Sequence, residues 1–430
     1  MPVTNPTLRA HISWGLSEKA LRLLSSMVIG ALVARTLGPG NYGLLNFAIS
    51  AAGILSILPY FGMDEITVRD IVNNPPGTNT TLGSVFILRL TGAGAVCIIL
   101  SVFAVYFKGA SVRNNMVLLC ALPLIFQTSQ VYEFFLRTQM QNRLISFMNI
   151  AGLLISCVYR LLLIFYKAPL YCYAAAGALE SAVICISACI TAYSQGVRIN
   201  HWKASTVRMK ELLRDSWPVA LSSVVILIYM KIDQLMLSWI QNDYATGLYA
   251  AAARISESWY FVPMSLSGSL LPVLLKKFTD RDPSLPRDLG RYYRLFFWGS
   301  AAVGLGITVF SRIIIAYMFG PEYQASAQML TIHIWAGVFV SIGLLNGKWE
   351  LMQNLQKITM YRTVIGSVIN IALNLLLIPK MSGVGASLAT LAAYSVSGYF
   401  ALWFFPSSRA HFYFIVKSVF SLRLNTTNAV

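Results

Sequence analysis

The residues of this chain best placed to do chemistry are ionisable side chains inside otherwise apolar runs: Glu133, Arg160, Glu180, Lys231, Asp233, Arg254, Glu257 and Arg312. Each would cost roughly 2.5 to 3.5 kcal/mol at the centre of a bilayer, so such groups face a water-filled cavity or an opposite charge. Counted inward from the ends of their runs, Lys231 and Asp233 lie at similar depth to Arg254 and Glu257, and two adjacent runs can present one charged cluster. Arg254 and Glu257 are three apart and share a helix face, which permits an internal neutralising pair. The other reading is transport chemistry, in which Lys231 and Arg254 attract an anion while Asp233 or Glu257 takes up a proton or another cation. Arg160 and Glu180, on neighbouring runs, admit the same two readings, with a mutual structural pair favoured. Glu133 and Arg312 lie near run ends, where snorkelling to the interface accounts for them.

Other chemistries lack their residues. The four histidines have no metal-ligand spacing and no acidic or cysteine companions, and the six cysteines fall in or beside apolar runs without paired spacing. Neither a metal nor another cofactor is expected. No glycine loop ends in Gly-Lys-Ser/Thr, so nucleotide hydrolysis is not expected and any energy must come from an ion or substrate gradient.

The elements that must position these charges follow from composition. Of 430 residues, 57% are hydrophobic and 11% charged, about half the charge of a soluble domain. Mean hydropathy is +0.64. Apolar runs of roughly 20 residues suffice to cross a bilayer as helices. Spans are expected near 14–34, 43–63, 82–107, 115–136, 146–167, 170–193, 215–240, 248–274, 292–318, 325–347, 358–379 and 383–405. The first is expected to be a retained helix, not a cleaved signal peptide.

A net charge of +17 would suggest nucleic acid in a soluble protein; here it marks orientation. One set of loops holds Arg69, Arg137, Arg143, the segments Arg198–Arg214 and Lys276–Arg294, Lys348, Lys357 and Arg362; the opposite set holds little beyond Arg35, Lys108, Arg113, Lys167 and Lys380. Both termini are therefore expected in the cytoplasm. The Arg198–Arg214 segment reads as a solvated linker or a short interfacial helix carrying Trp202 and leucines on one face. The expected organisation is a six-helix lobe over 1–197, a basic linker over 198–214, a second six-helix lobe over 215–406 and a cytoplasmic tail over 407–430. A loose internal repeat supports two parallel halves: Gly43-Leu-Leu-Asn-Phe-Ala48 recurs as Gly247-Leu-Tyr-Ala-Ala-Ala252, and Pro59 recurs as Pro263 at the same offset.

The segment from Leu32 to Ala48, LVARTLGPGNYGLLNFA, resembles the first-to-second-helix signature of polysaccharide exporters of the O-antigen flippase (Wzx) type. Its Gly38-Pro39-Gly40-Asn41 is expected to form a tight outer turn. Further similar motifs are Ile232-Asp-Gln-Leu-Met-Leu237, Gly247 through Arg254 with Pro263 and Pro272, Phe319-Gly-Pro-Glu-Tyr323, and Asn370 with Asn374 through Pro379, Gly383 and Gly385-Ala386. The resemblance implies an all-α integral membrane protein of about twelve helices in two lobes, in the multidrug/oligosaccharidyl-lipid/polysaccharide (MOP) exporter superfamily. It implies flipping of an undecaprenyl-pyrophosphate-linked oligosaccharide across a bacterial inner membrane, the lobes rocking about a central cavity. Lys231, Arg254 and Arg160 would then supply a cationic cavity, with Asp233, Glu257 and Glu180 as candidates for ion coupling. The lipid bilayer, a polysaccharide polymerase and a chain-length regulator are the implied partners. Alternatives are a multidrug or cation exporter of the same superfamily, a peptidoglycan-precursor flippase, and a membrane-embedded polymerase or glycosyltransferase.

Overall fold

A computed structural model describes residues 5–106, 111–195 and 201–420. Lys108 and Arg198 lie outside these residues, as does the end of the expected tail. The described chain is helical, with no strand among the described residues, and ten of its helical stretches are long and apolar enough to cross a membrane.

The two longest helical stretches, of 51 and 43 residues, are each two helices merged across a kink. Asn5–Leu55 breaks at Gly38 (φ 69°, ψ 167°), in the gap expected between the first two spans. The Gly-Pro-Gly-Asn motif is thus a one-residue break rather than a four-residue turn. Glycine adopts the positive φ without a Cβ clash, and Pro39 follows where a new helix needs no N–H. Gln356–Gly398 breaks at Ser382 (φ 51°, ψ −132°), in the gap expected between the last two spans.

Contacts divide the chain into two compact units: residues 1–37 with 44–231, and residues 38–43 with 232–430. The Thr206–Ile240 helix begins in the first unit and ends in the second.

Within the first unit, the described part of the Arg198–Arg214 segment is mostly exposed but anchored at a few points. Trp202 packs edge-on to Phe86 with ring centroids 5.9 Å apart, and the Lys203 amide donates to the Asn79 carbonyl at 3.3 Å. Gly83 permits this approach, since a Cβ there would stand 2.6 Å from the Lys203 carbonyl oxygen. The helix starting at Thr206 runs on into the membrane span, and its Leu212 is buried against Ile66, Val85 and Phe134. Arg208 donates to Asp70 at 2.5 Å. Trp202 and Leu212 of the apolar face therefore meet protein, while Val207 and Leu213 stay exposed.

Within the second unit, the two repeat glycines touch. A Cβ on Gly43 would lie 2.6 Å from the Gly247 nitrogen and drive into the Asp243 carbonyl, and one on Gly247 would strike the Pro39 carbonyl. Gly247→Ala is expected to lower stability by about 1–3 kcal/mol through overpacking, read as a lower melting temperature of the detergent-purified protein.

The Lys276–Arg294 segment is mostly helical, with a tight turn from Asp280 to Ser284. The Ser284 amide, donating to Asp282 at 2.8 Å, holds that carboxyl below the usual carboxylate range, with Lys277 adding to the effect. Residues Pro406–Phe420, expected as tail, form a helix that packs on the second unit through Ser408, His411, Phe414 and Ile415.

Candidate functional site

The first unit holds an open cavity of about 620 Å³. Four stretches of helix build its polar wall. Asn5–Leu55 supplies Glu18 and Arg22, Asn142–Phe165 supplies Asn149 and Arg160, and Leu170–Ser194 supplies Glu180 and Ser181. The fourth is irregular for a reason visible in the sequence. Pro123 has no N–H to continue the helix ending at Ala121, and the chain passes through a short Pro123–Phe126 turn into the 3₁₀ segment Gln127–Gln130 before Val131–Thr138 resumes. In 3₁₀ geometry residues three apart eclipse one another, so Gln127 and Gln130 share a face. Both line the cavity, and so does Glu133.

Glu180 is the charged centre of this wall. Its Oε1 takes Arg22 at 2.5 Å, and its Oε2 lies 3.9 Å from Arg160. The expected Arg160–Glu180 pair is therefore a long one, and the closer partner of Glu180 is Arg22. Beside it the wall is neutral: Tyr60 donates its hydroxyl to Gln127 Oε1 at 2.5 Å, and Gln127 donates to Ser181 Oγ at 3.3 Å.

Glu133 does not snorkel. It is 6% exposed, its Oε2 stands 3.8 Å from Arg137, and its Oε1 accepts no hydrogen bond among the described residues. The break at Pro123 turns this last part of the span inward, a rotation that counting residues from a span end does not reveal. Behind Tyr60 lies Arg89, 1% exposed, its guanidinium 4.8 Å from the Tyr60 ring and 4.9 Å from that of Phe134, and it donates to Asp64 at 2.5 Å. Sequence reasoning missed Arg22 and Arg89 as site residues although both lie inside expected spans, which was the available signal.

The second unit holds a different arrangement around Asp233. Asn242 caps the Asp243–Trp259 helix by accepting from the Ala245 amide at 2.8 Å, and this turn lets the helix return alongside Thr206–Ile240. Tyr249 then reaches Asp233 Oδ2 at 2.8 Å. Thr390 donates to the same oxygen at 2.6 Å, and Asn374 donates to Oδ1 at 2.5 Å and to Asn370 Oδ1 at 3.2 Å. Asp233 is 4% exposed, Asn370 and Asn374 are fully buried, and Asn374 Oδ1 and Asn370 Nδ2 have no partner among the described residues. The carboxylate is thus ringed by neutral donors and surplus amide groups. The oxygens of Asp233, Thr390, Asn370 and Asn374 form a set that suits a hard monovalent cation or a proton, with the amides turned to present oxygen.

Of the other expected site residues, Glu257 lies close enough for its charge to reach Tyr249, the partner of Asp233. Lys231 is half-buried at the end of the first unit, while Arg254 and Glu257, half-buried and one turn apart, lie in the second. Lys231 and Asp233, two apart on one helix, point about 200° apart, an azimuth that depth alone ignores.

Solved structures share this architecture. An inward-facing multidrug resistance MATE family transporter of the MOP superfamily matches at TM-score 0.70 and 14% identity, over 91% of this chain and 96% of that one. The lipid II flippase MurJ, in an inward closed conformation, matches at TM-score 0.71 and 15% identity, over 94% of this chain and 89% of that one. At 14% and 15% identity these likenesses show a shared fold. The family described as "Polysaccharide biosynthesis protein" matches residues 9–277, and the MatE family matches residues 218–376. The chain belongs to the polysaccharide biosynthesis protein family. Two uncharacterized membrane proteins of Methanocaldococcus jannaschii are 29% identical over 181 residues and 32% identical over 107, matches covering 42% and 24% of this chain and 42% and 20% of those relatives. The chain thus spans less than half the length of these curated relatives.

Proposed function

We propose that this protein flips an undecaprenyl-pyrophosphate-linked oligosaccharide, an O-antigen or similar polysaccharide repeat unit, from the cytoplasmic to the periplasmic leaflet of a bacterial inner membrane. Alternating access carries the head group while the polyprenyl chain stays in lipid. The observation that carries this reading is the polar cavity in which Arg22 and Arg160 flank Glu180. A pyrophosphate competes with Glu180 for those two guanidiniums, which match phosphate oxygens geometrically. Of the cationic residues expected from sequence, Arg160 is retained and Arg22 joins it; Lys231 and Arg254 do not line this cavity. Asp233, ringed by neutral donors with the unpartnered Asn374 Oδ1 beside it, is the proposed site of ion coupling.

The test is complementation of a flippase-null strain in a matched sugar background. The wild type is expected to restore surface polysaccharide. Truncating one hydrogen-bonded charge costs about 2–5 kcal/mol, about 30-fold or more in affinity, so Arg22→Ala combined with Arg160→Ala is expected to remove surface polysaccharide at normal membrane abundance.

One observation favours a second reading, export of organic cations: the cavity lining holds three glutamates, Glu18, Glu133 and Glu180, against two arginines. Failure of the wild type in every matched background, together with export of small cations from vesicles, would replace the flippase reading with this one.

A further inference from the structure

The cavity wall carries more polar chemistry than a pyrophosphate uses. Gln127, Gln130, Tyr60, Ser181 and Asn149 are neutral groups that can each exchange hydrogen bonds with hydroxyls or amides. They line the same cavity as Glu180, Arg22 and Arg160, and Ser181 accepts from Gln127. A sugar bonded to a pyrophosphate held by Arg22 and Arg160 falls against this belt. A volume of about 620 Å³ is in the range of small-molecule sites, roughly 300–1,000 Å³, which fits a head group and its first sugars rather than a long glycan.

Glu133 gives this belt a sign. Its Oε1 is a buried acceptor without a donor among the described residues, an arrangement that calls for a ligand hydroxyl or N–H. A carboxylate on the sugar has no proton to give and adds a like charge beside it. The local cations are already engaged: Arg137 by Glu133, Arg89 by Asp64, and Arg22 and Arg160 by Glu180 or by the pyrophosphate that displaces it.

Building on the flippase reading, we infer that the cavity selects an uncharged sugar, rich in hydroxyl or amide groups, next to the pyrophosphate and rejects an acidic sugar there. Gln127, Gln130 and Tyr60 recognise the sugar, and Glu133 discriminates.

The experiment measures binding of three probes to the full-length protein in nanodiscs: farnesyl pyrophosphate, its galactose conjugate and its galacturonic acid conjugate. The two conjugates differ only at C6. The galactose conjugate is expected to bind at least about tenfold more tightly than the galacturonic one, because like charges brought together are strongly disfavoured. Glu133→Gln is expected to close that gap by tightening the galacturonic conjugate, a gain of binding that a misfolded protein cannot show. Gln127→Ala with Gln130→Ala is expected to bring the galactose conjugate down to the affinity of farnesyl pyrophosphate. Equal binding of the two conjugates by the wild type, or a gap that survives Glu133→Gln, overturns the selectivity. Binding of none of the three overturns the flippase reading itself.

Discussion

Glu350→Ala is expected to destabilise the protein by about 3–5 kcal/mol, the cost of leaving one member of a buried ion pair without its partner. Glu350 is fully buried and Arg362 nearly so. Arg362 Nε lies 2.7 Å from Glu350 Oε1, its second nitrogen donates to Oε2 at 2.9 Å, and the third donates to the Ser397 carbonyl. Thr359 also donates to Glu350. With the carboxylate gone, a guanidinium stays buried against one carbonyl. The check is thermal unfolding in detergent, with Glu350→Leu/Arg362→Met alongside. If the loss comes from the orphaned charge, the double substitution recovers most of it, since an apolar pair of similar volume is often neutral relative to a buried ion pair. A double variant no more stable than Glu350→Ala would assign the loss to packing instead.

That pair belongs to a polar cluster at one end of the second unit which also fastens the last helix. Tyr293 donates to Asn346 Oδ1 at 2.6 Å and meets His411 Nε2 at 2.8 Å, and His411 stacks on Trp349 with ring centroids 3.8 Å apart. Asn346 in turn donates to the Gly398 carbonyl at 2.7 Å. Burial pushes His411 down to about 3, so it stays neutral and shares its proton within the network instead of titrating near neutrality.

The sequence expectation placed Arg362 among cytoplasmic loop charges that set topology, and the structure buries it in the Gln356–Gly398 helix. Charge counting is blind to this difference. A basic residue near a span end contributes to orientation whether it meets water or a glutamate, and only the fold brings Glu350, twelve residues earlier, across the turn to meet it. The helical class was legible because it depends on local quantities: the length of an apolar run and its lack of charge. Breaks at Gly38 and Ser382 were legible to within the gaps between runs, since polar or helix-breaking residues accumulate where a helix must end. The cavity is only partly legible. Arg160 and Glu180 are visible as intramembrane charges, but Arg22 lies among other charges in the first run, and the inward turn of Glu133 depends on how the chain recovers after Pro123. The amides Gln127 and Gln130 carry no charge and so gave no signal against the background of a membrane helix. Asn370 and Asn374 were noticed only within a motif, because their meeting with Asp233 spans more than 130 residues of chain.

Asp233→Asn is expected to uncouple transport from the ion gradient while leaving the second unit assembled. The substitution keeps the size of the side chain and removes its charge, so Tyr249 and Thr390 retain an acceptor at the amide oxygen, while the Asn374 amide faces a nitrogen and must turn. That rotation also gives the orphaned Asn374 Oδ1 a donor, which offsets part of the lost charge-assisted bonding. What cannot be replaced is the ability to change charge. A cation or proton taken up by Asp233 neutralises a carboxylate held by neutral donors, and an amide has no such second state. Coupling free energies between sites usually run from about 1 to 3 kcal/mol, equivalent to roughly 5–150-fold. Gradient-driven accumulation of labelled lipid-linked oligosaccharide in proteoliposomes should fall by that factor, to the level seen without a gradient, while gradient-independent equilibration persists. Imposing a sodium gradient and a pH gradient separately identifies which ion is coupled in the wild type. Undiminished gradient dependence in Asp233→Asn would move the coupling site elsewhere, with Glu180 and Glu257 the next residues to replace.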